Sequence, residues 1–243
     1  MSSQPKKFNY DSIADTYAER IDEAPYNAEY ERPAMFGVMP GVEGTRLLDA
    51  GCGGGWYAEH LLKKGADVDA VDGSAAMVEH ARTRLADQVT DDPKGRLTIR
   101  HADLAEPLPF DGNRFDGVIS PLVLHYIADW RPTLREFARV LKPGGWLLFS
   151  THHPATEMVR LAPKDYFRVE HVVETWQWLG QVEFYRRPLT EISLSLADAG
   201  FVIERMVEPV PTDEFRRLKP ETYADLMRQP EFLIVLARST KAA

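Results

Sequence analysis

A run of four glycines in five positions, with an aspartate before it and two more after it, is the part of this chain whose residue types and spacing could do chemistry. The stretch "LLDAGCGGGWYAEHL" (47–61) leads from apolar residues through Asp49 into Gly51, Gly53, Gly54 and Gly55, and then into a helix-like pattern. Glycine at that density lets a ligand come close to the backbone. Nucleotides are the usual ligands of a strand, glycine loop and helix, but this loop has the wrong register for a dinucleotide. The third position of the G-x-G-x-x-G fingerprint is taken by Trp56, and no Gly-Lys-Ser/Thr follows to cradle a phosphate. A tight turn needing positive φ would explain one or two of the glycines, not four. Asp72 and Asp103 each close an apolar run further on. A lone aspartate at a strand end commonly caps a turn; three in order at successive strand ends point to a ligand. Cys52 lies inside the loop with no motif supplying a base, and reads as a small residue that fits the turn.

The elements that must position these residues alternate. "TRLLDA" (45–50), "ADVDAVD" (66–72), "LTIRHAD" (97–103), "FDGVIS" (115–120) and "WLLFST" (146–151) read as strands. Helical patterns separate them: one opens at Trp56 and stops at Gly65, a second is capped by Ser74, and a third ends at Pro143-Gly144-Gly145. Such alternation means an α/β fold, a mostly parallel sheet with helices on both faces, whose ligands bind beyond the carboxyl ends of the strands. "FRVEHVVETWQWLGQVEFYRRP" breaks the pattern and reads as an antiparallel hairpin inserted after the fifth strand. A helix ending at Gly200 and the runs "FVIERMVEP" and "FLIVLAR" complete the sheet at seven strands. The first 30 or so residues look helical, with Tyr10, Ile13, Ala14, Tyr17 and Ala18 along one face.

Composition sets outer limits. The chain has 243 residues, 44% of them hydrophobic, and a net charge of -8. That charge argues against nucleic acid or anionic membranes as partners. The start is polar without an apolar signal core, and one cysteine permits no internal disulfide, so a cytoplasmic location is expected.

With "VDAVDGSAAMVEHAR", "HADLAEPLPFDGNRFDGVIS", "LVLHYIADW" and "LREFARVLKPGGWLLFS" following the glycine loop in order, the chain resembles the class I S-adenosylmethionine-dependent methyltransferases over about residues 8–151. Within them it is similar to the small-molecule branch around the ubiquinone-biosynthesis C-methyltransferases. The resemblance implies a Rossmann-like single domain over 1–243, with a helical lid (1–44), a cofactor-binding core (45–151), an inserted cap (152–188) and a C-terminal completion of the sheet (189–243). It implies S-adenosyl-L-methionine as cofactor, which carries no phosphate and suits a loop without a P-loop lysine. Asp72 would accept from both ribose hydroxyls, with Gly73 and Ser74 at the ribose edge and Met77 on the adenine face. Asp103 would accept from the adenine amino group and the Leu104 amide would meet a ring nitrogen. Asp49, Gly51 and Gly53 would surround the methionine tail. Backbone near Ser120 and Pro121 would pass the sulfonium, although Pro121 departs from the small or polar residue more usual there. Tyr17 resembles a lid tyrosine covering the cofactor, or is an aromatic on the apolar side of its helix. No metal site is implied.

On the acceptor side, His152 and His153 follow the fifth strand at the ligand edge and are the candidate catalytic pair. Strand alternation lets only one of them face the site. The competing account is a pair that fixes the chain before Pro154. His125 reads as a loop or packing residue. Arg32 either pairs with the methionine carboxylate or is solvated beside Glu31. Trp176, Trp178, Phe184 and Tyr185 in the insert bound an acceptor, pack internally, or form a dimer face. The expected activity is methyl transfer to an O, N or C atom of a small molecule by a monomer or homodimer. A non-catalytic S-adenosylmethionine-binding protein and an NAD(P)-dependent oxidoreductase are the alternatives.

Overall fold

The computed structural model describes residues 14, 20–92, 94–176 and 180–242. In chain order, a π-helical turn (Asn27–Glu31) runs into α1 (Arg32–Val38), followed by β1 (Arg46–Ala50), α2 (Trp56–Lys63), β2 (Asp67–Asp72) and α3 (Ala75–Arg84). Then come β3 (Leu97–His101), β4 (Phe115–Pro121), a 3-10 turn (Leu124–Tyr126), α4 (Trp130–Val140), β5 (Leu141–His152) and α5 (Pro154–Leu161). The chain closes with β6 (Glu170–Trp176), β7 (Gly180–Arg186), α6 (Leu189–Asp198), β8 (Phe201–Val207), α7 (Asp213–Leu218), α8 (Pro220–Leu226) and β9 (Phe232–Ser239).

Seven strands form one sheet in the order β3-β2-β1-β4-β5-β9-β8, and β6 and β7 form a separate antiparallel pair. Only β9 runs against its neighbours. After β3 the chain returns to the other side of β1, so the strand order reverses between β1 and β4. Ligands of open α/β sheets bind outside the carboxyl ends of the strands at that switch point.

Side-chain alternation fills both faces. Leu47, Ile119 and Leu148 pack with Met35 of α1, Leu61 of α2 and Val78 of α3. Their neighbours Leu48, Val118 and Leu147 pack on the opposite face with Leu134 and Phe137 of α4 and Ile192 of α6. Each such buried side chain contributes about 1.5–3 kcal/mol of transfer free energy. The strands are therefore fixed laterally on both sides, and their carboxyl ends form a rigid edge.

The seven strands, the two helical layers and the inserted hairpin match the expectation from sequence. Four details differ. The third strand ends at His101, and Asp103 lies in the turn beyond it. Pro143-Gly144-Gly145 falls inside β5, which begins at Leu141 and pairs with Phe115 before a register shift. A helix, α5, stands between β5 and the hairpin, started by Pro154 in its first turn and capped by His153. Two short helices, α7 and α8, precede the last strand. Of the N-terminal stripe only Ala14 is described, as a buried helical residue; Tyr10, Ile13, Tyr17 and Ala18 lie outside the described residues, as does Trp178. Among the described residues no helix is long and apolar enough to cross a membrane.

Candidate active site

The glycine loop folds back over the end of β2. The amides of Gly51 and Cys52 both donate to the Val71 carbonyl, at 2.8 and 2.9 Å. Gly51 takes φ 85°, and a Cβ there would come within 2.3 Å of the Val123 side chain. Gly53, at φ 51°, has nothing within 4 Å of where a Cβ would stand. Its backbone faces open space, where a ligand can lie against it. The Gly53 amide donates to Asp72 Oδ2, and the Ser74 amide donates to Asp72 Oδ1, both at 2.8 Å. Asp72 is thus aimed by the loop on one side and by the start of α3 on the other.

Asp49 is the anomaly. It has no exposure, and neither carboxylate oxygen has a well-formed hydrogen bond among the described residues, the Ala58 amide giving it only a weak favourable contact. Burial pushes its pKa up to about 8, and the nearby charge of Asp72 pushes the same way. Cys52, next to both acids, is also raised well above the usual thiol range, by burial first and by Asp72 and Asp49 after it. It is held as an inert thiol, in line with the small-residue reading.

A cleft of about 540 Å³ opens over the loop, bounded by Gly51–Gly54, Trp56, Tyr57, Pro121 and the segment around residues 21–32. Arg32, one of its walls, is buried, which overturns the solvated alternative. Its guanidinium lies 3.8 Å from the centre of the Trp56 ring, and Nη1 donates to the Asp22 carbonyl at 2.8 Å. Glu31, beside it, is 1% exposed and accepts from Tyr57 Oη at 2.8 Å and Ser150 Oγ at 2.6 Å. Burial raises its pKa against those two hydrogen bonds.

A second cavity, of about 460 Å³, adjoins the first and shares Ile21, Asn27 and Leu122 with it. Tyr26, Tyr126, Trp176 and Phe232 give it aromatic walls, and His152, Glu157, Arg160 and Glu231 supply polar groups. His152 Nδ1 lies 3.1 Å from Glu157 Oε1, and its ring stacks on His125 with centroids 4.0 Å apart. His125 is fully enclosed. Burial, followed by His152 and Arg187, drives its pKa well below the usual imidazole range. Leu122, in the shared wall, has φ 54°, a left-handed conformation costing about 1–3 kcal/mol for a non-glycine residue. Its amide donates to the Ser150 carbonyl at 3.1 Å and Ser150 Oγ at 3.0 Å, which holds it there.

Residues 48–149 match the family model described as a methyltransferase domain. The crystal structure of an S-adenosylmethionine-dependent methyltransferase from Mesorhizobium loti superposes with a TM-score of 0.70 and 31% identity, covering 90% of this chain and 99% of that one. A malonyl-[acyl-carrier protein] O-methyltransferase of Erwinia pyrifoliae is 30% identical over 210 residues, 82% of this chain and 71% of the relative. This chain belongs to the S-adenosylmethionine-dependent methyltransferases. A ubiquinone biosynthesis O-methyltransferase of Alkalilimnicola ehrlichii is 37% identical over a shorter stretch, 46% of this chain and 44% of that protein. The oxidoreductase and non-catalytic alternatives fall away, and the cofactor of this methyltransferase is S-adenosyl-L-methionine.

The site fits that group. Asp49 offers a buried, unpartnered carboxylate to a cationic amino-acid tail, and the open face of Gly53 offers room beside it. Asp72 retains accepting capacity, since an ionised carboxylate offers about four lone-pair sites. It is half-buried and outside the enclosed cleft, as is Asp103. Asp103 Oδ1 accepts the Ala105 amide at 2.9 Å, so it also organises its own turn. Gly73 is exposed beside Asp72, and Leu104 is buried with its carbonyl accepting from Thr133 Oγ1 at 2.8 Å.

The side chains of three expected contact residues are engaged within the methyltransferase itself. Ser74 Oγ caps α3 by accepting the Met77 amide at 3.2 Å. Met77 is 1% exposed, so protein already covers the face expected to meet adenine. Ser120 has no exposure and donates to the Ala50 carbonyl at 2.9 Å, stitching β4 to β1; Pro121 lines the cleft instead. The histidine pair separates as strand alternation requires. His152 lines the second cavity, whereas His153 lines neither cavity. His153 Nδ1 accepts the Ala155 amide at 3.2 Å, capping α5, and Nε2 reaches Glu208 at 2.9 Å. Of the pair, His153 is therefore the one whose side chain serves as a helix cap. In the hairpin, Phe184 packs edge-on against His152 with centroids 4.7 Å apart, Tyr185 lies against His171, and Trp176 reaches the cavity. Sequence reasoning missed Glu31 and Glu157. Glu157 lies five residues after His152, a spacing that faces it only because α5 starts where it does.

Proposed function

We propose that this methyltransferase methylates a hydroxyl oxygen of a small planar acceptor held in the aromatic cavity. The observation that carries the reading is His152 in the wall of that cavity, hydrogen-bonded through Nδ1 to the buried Glu157. An ionised Glu157 can only accept, which puts the imidazole proton on Nδ1 and leaves the lone pair on Nε2. A base with an oriented ring suits an acceptor that must lose a proton. Amines and activated carbons need such a base less. The O-methyltransferase names of two relatives support oxygen as the acceptor atom.

Bound in the cleft, S-adenosylmethionine would supply a methyl group on positively charged sulfur, which keeps the bonding pair and leaves as a neutral thioether. Asp49 would hold the cationic tail end and Asp72 the ribose diol. Asp103 and the Leu104 amide would meet the adenine edge. Tyr126, Trp176 and Phe232 would hold the acceptor ring, and the shared wall at Leu122 would place its oxygen towards the methyl group. His152 would take the hydroxyl proton as the O–CH3 bond forms, and Glu157 would stabilise the resulting imidazolium. The test is turnover over matched panels of phenols, carboxylates and amines, followed by formation of S-adenosylhomocysteine. Phenols should turn over and His152→Ala should remove most of that rate. Turnover confined to amines would refute the reading.

A further inference from the structure

Only three described residues line both cavities: Ile21, Asn27 and Leu122. They form the wall through which a methyl group must pass. Two are apolar, and the Leu122 amide is already committed to Ser150. Asn27 is therefore the one polar side chain of that wall. It is half-buried, and its side-chain amide makes no hydrogen bond to the described residues.

The turn that carries Asn27 is fixed on every following residue that faces the protein. The Glu29 carboxylate accepts from Thr212 Oγ1 at 2.6 Å, and the Glu29 carbonyl accepts the Thr212 amide at 2.9 Å. Tyr30 is fully buried, and its ring stacks on Phe232 with centroids 5.3 Å apart. Glu31 is held by Tyr57 and Ser150, and Arg32 by Trp56 and the Asp22 carbonyl. The turn is also π-helical, a geometry found frequently at functional sites. A rigid carrier with one accessible polar group left without a partner is how a ligand-contacting residue is built.

We propose that Asn27 binds the reactive end of the cofactor, its side-chain carbonyl oxygen facing the sulfonium and its methyl group. The proposal rests on the reading that the first cavity takes S-adenosylmethionine and the second the acceptor. A cation next to an amide is met by the carbonyl oxygen, because the NH2 end would repel it. Methyl hydrogens on a positive sulfur are polarised, so they are good partners for weak C–H···O contacts. The NH2 end then points to the acceptor side, where a hydroxyl oxygen can receive it.

The experiment compares S-adenosylmethionine with S-adenosylhomocysteine, which lacks both the charge and the methyl group. Calorimetry on the full chain gives the ratio of their affinities for wild type, Asn27→Ala and Asn27→Asp. Asn27→Ala should weaken S-adenosylmethionine about 2- to 10-fold and leave S-adenosylhomocysteine within about twofold. Asn27→Asp keeps an oxygen and should restore or exceed the wild-type preference for S-adenosylmethionine. In parallel, the proton shift of bound 13C-methyl-labelled S-adenosylmethionine should move upfield in Asn27→Ala. Equal losses for both ligands, or an unchanged ratio with an unchanged methyl shift, overturn the proposal. Melting temperatures separate either result from misfolding. The ratio involves no acceptor, so failure to methylate phenols would sink the function proposed above and leave this one standing.

Discussion

Replacing Asp49 with Asn should abolish a proton release that accompanies cofactor binding in the wild type. Asp49 has no exposure, no partner for either oxygen, and a pKa raised to about 8 by burial and by Asp72. At pH 7 about nine-tenths of the free protein therefore carries the neutral acid. An ammonium brought against it favours the carboxylate, and a pKa pulled to about 5 or below leaves it ionised over the whole range from about pH 6 to 8. Binding must then release about 0.9 proton at pH 7, and the deprotonation opposes affinity by about 1.4 kcal/mol. Following that penalty from pH 6 to pH 8 gives about 50-fold, and loss of the proton from the cofactor's own α-amino group by pH 8 takes back a factor of about 2 to 3, so apparent affinity for S-adenosylmethionine should rise about 20-fold. The sign for the free protein is opposite. Between about pH 4 and 8 the folded state binds more protons at this residue than the unfolded state, so its contribution to stability falls as pH rises through that window. Calorimetry in buffers of different ionisation enthalpy counts the protons. Asp49→Asn should show none released and little pH dependence over the same range. Wild-type binding with no proton release at pH 7 would refute the assignment of Asp49 to the cationic tail.

Asp72→Ala removes the proposed ribose partner and also the acceptor of the Gly53 and Ser74 amides. Affinity for S-adenosylmethionine should fall about 10- to 150-fold, and calorimetry checks it. Melting temperature should fall as well, by the cost of unpairing the Gly53 and Ser74 amides, about 1–3 kcal/mol in total. An intact melting temperature would show that water replaces the carboxylate at the loop. His152→Ala should lower turnover about 10²- to 10⁴-fold while cofactor affinity stays near wild type. His153→Ala should instead cost about 1 kcal/mol in denaturant unfolding through loss of the α5 cap, with turnover nearly kept. Its contact with Glu208, an exposed partner, adds little.

The parts legible in the sequence are those governed by local pattern. β1 and the glycine loop, Asp72 at the end of β2, the helix capped by Ser74 and the hairpin all follow from periodicity and turn chemistry. Alternation also foretold that His152 and His153 would part. It could not say which of them faces inwards, because that depends on α5. Pro154, before which the pair was expected to fix the chain, is the first residue of that helix, and His153 serves as its cap. Ser74, Met77 and Ser120 sit where the family pattern puts ligand contacts; the Ser74 cap was legible, but the burial of Met77 and the stitch from Ser120 to Ala50 are not revealed by sequence spacing. Glu31 was invisible for a different reason. An acid beside Arg32 in a polar-looking segment reads as solvated, and only the return of β5 and α2 against it creates the Ser150 and Tyr57 partners.

The unrelieved costs of the fold are not spread evenly. Asp69, in the middle of β2, is as buried as Asp49, yet Arg46, Arg114 and Thr98 all reach its carboxylate. There the fold has answered a buried charge with partners, as burial normally requires. One residue beyond the middle of β1, Asp49 receives no side-chain partner, and only the Ala58 amide lies near enough to favour its charge. Leu122 keeps a left-handed backbone that a glycine would adopt without strain, and Ser150 is placed to enforce it. Ser150 in turn bonds Glu31, whose own burial is costly. These three features all line or adjoin the two cavities at the carboxyl edge of the sheet. A chain able to satisfy Asp69 so fully could satisfy Asp49 in the same way, with a base from α2 or α3. On the function proposed above, leaving it bare keeps the place open for a cation that arrives with the cofactor, and the strained wall at Leu122 would hold that place in fixed register with the cavity proposed for the acceptor.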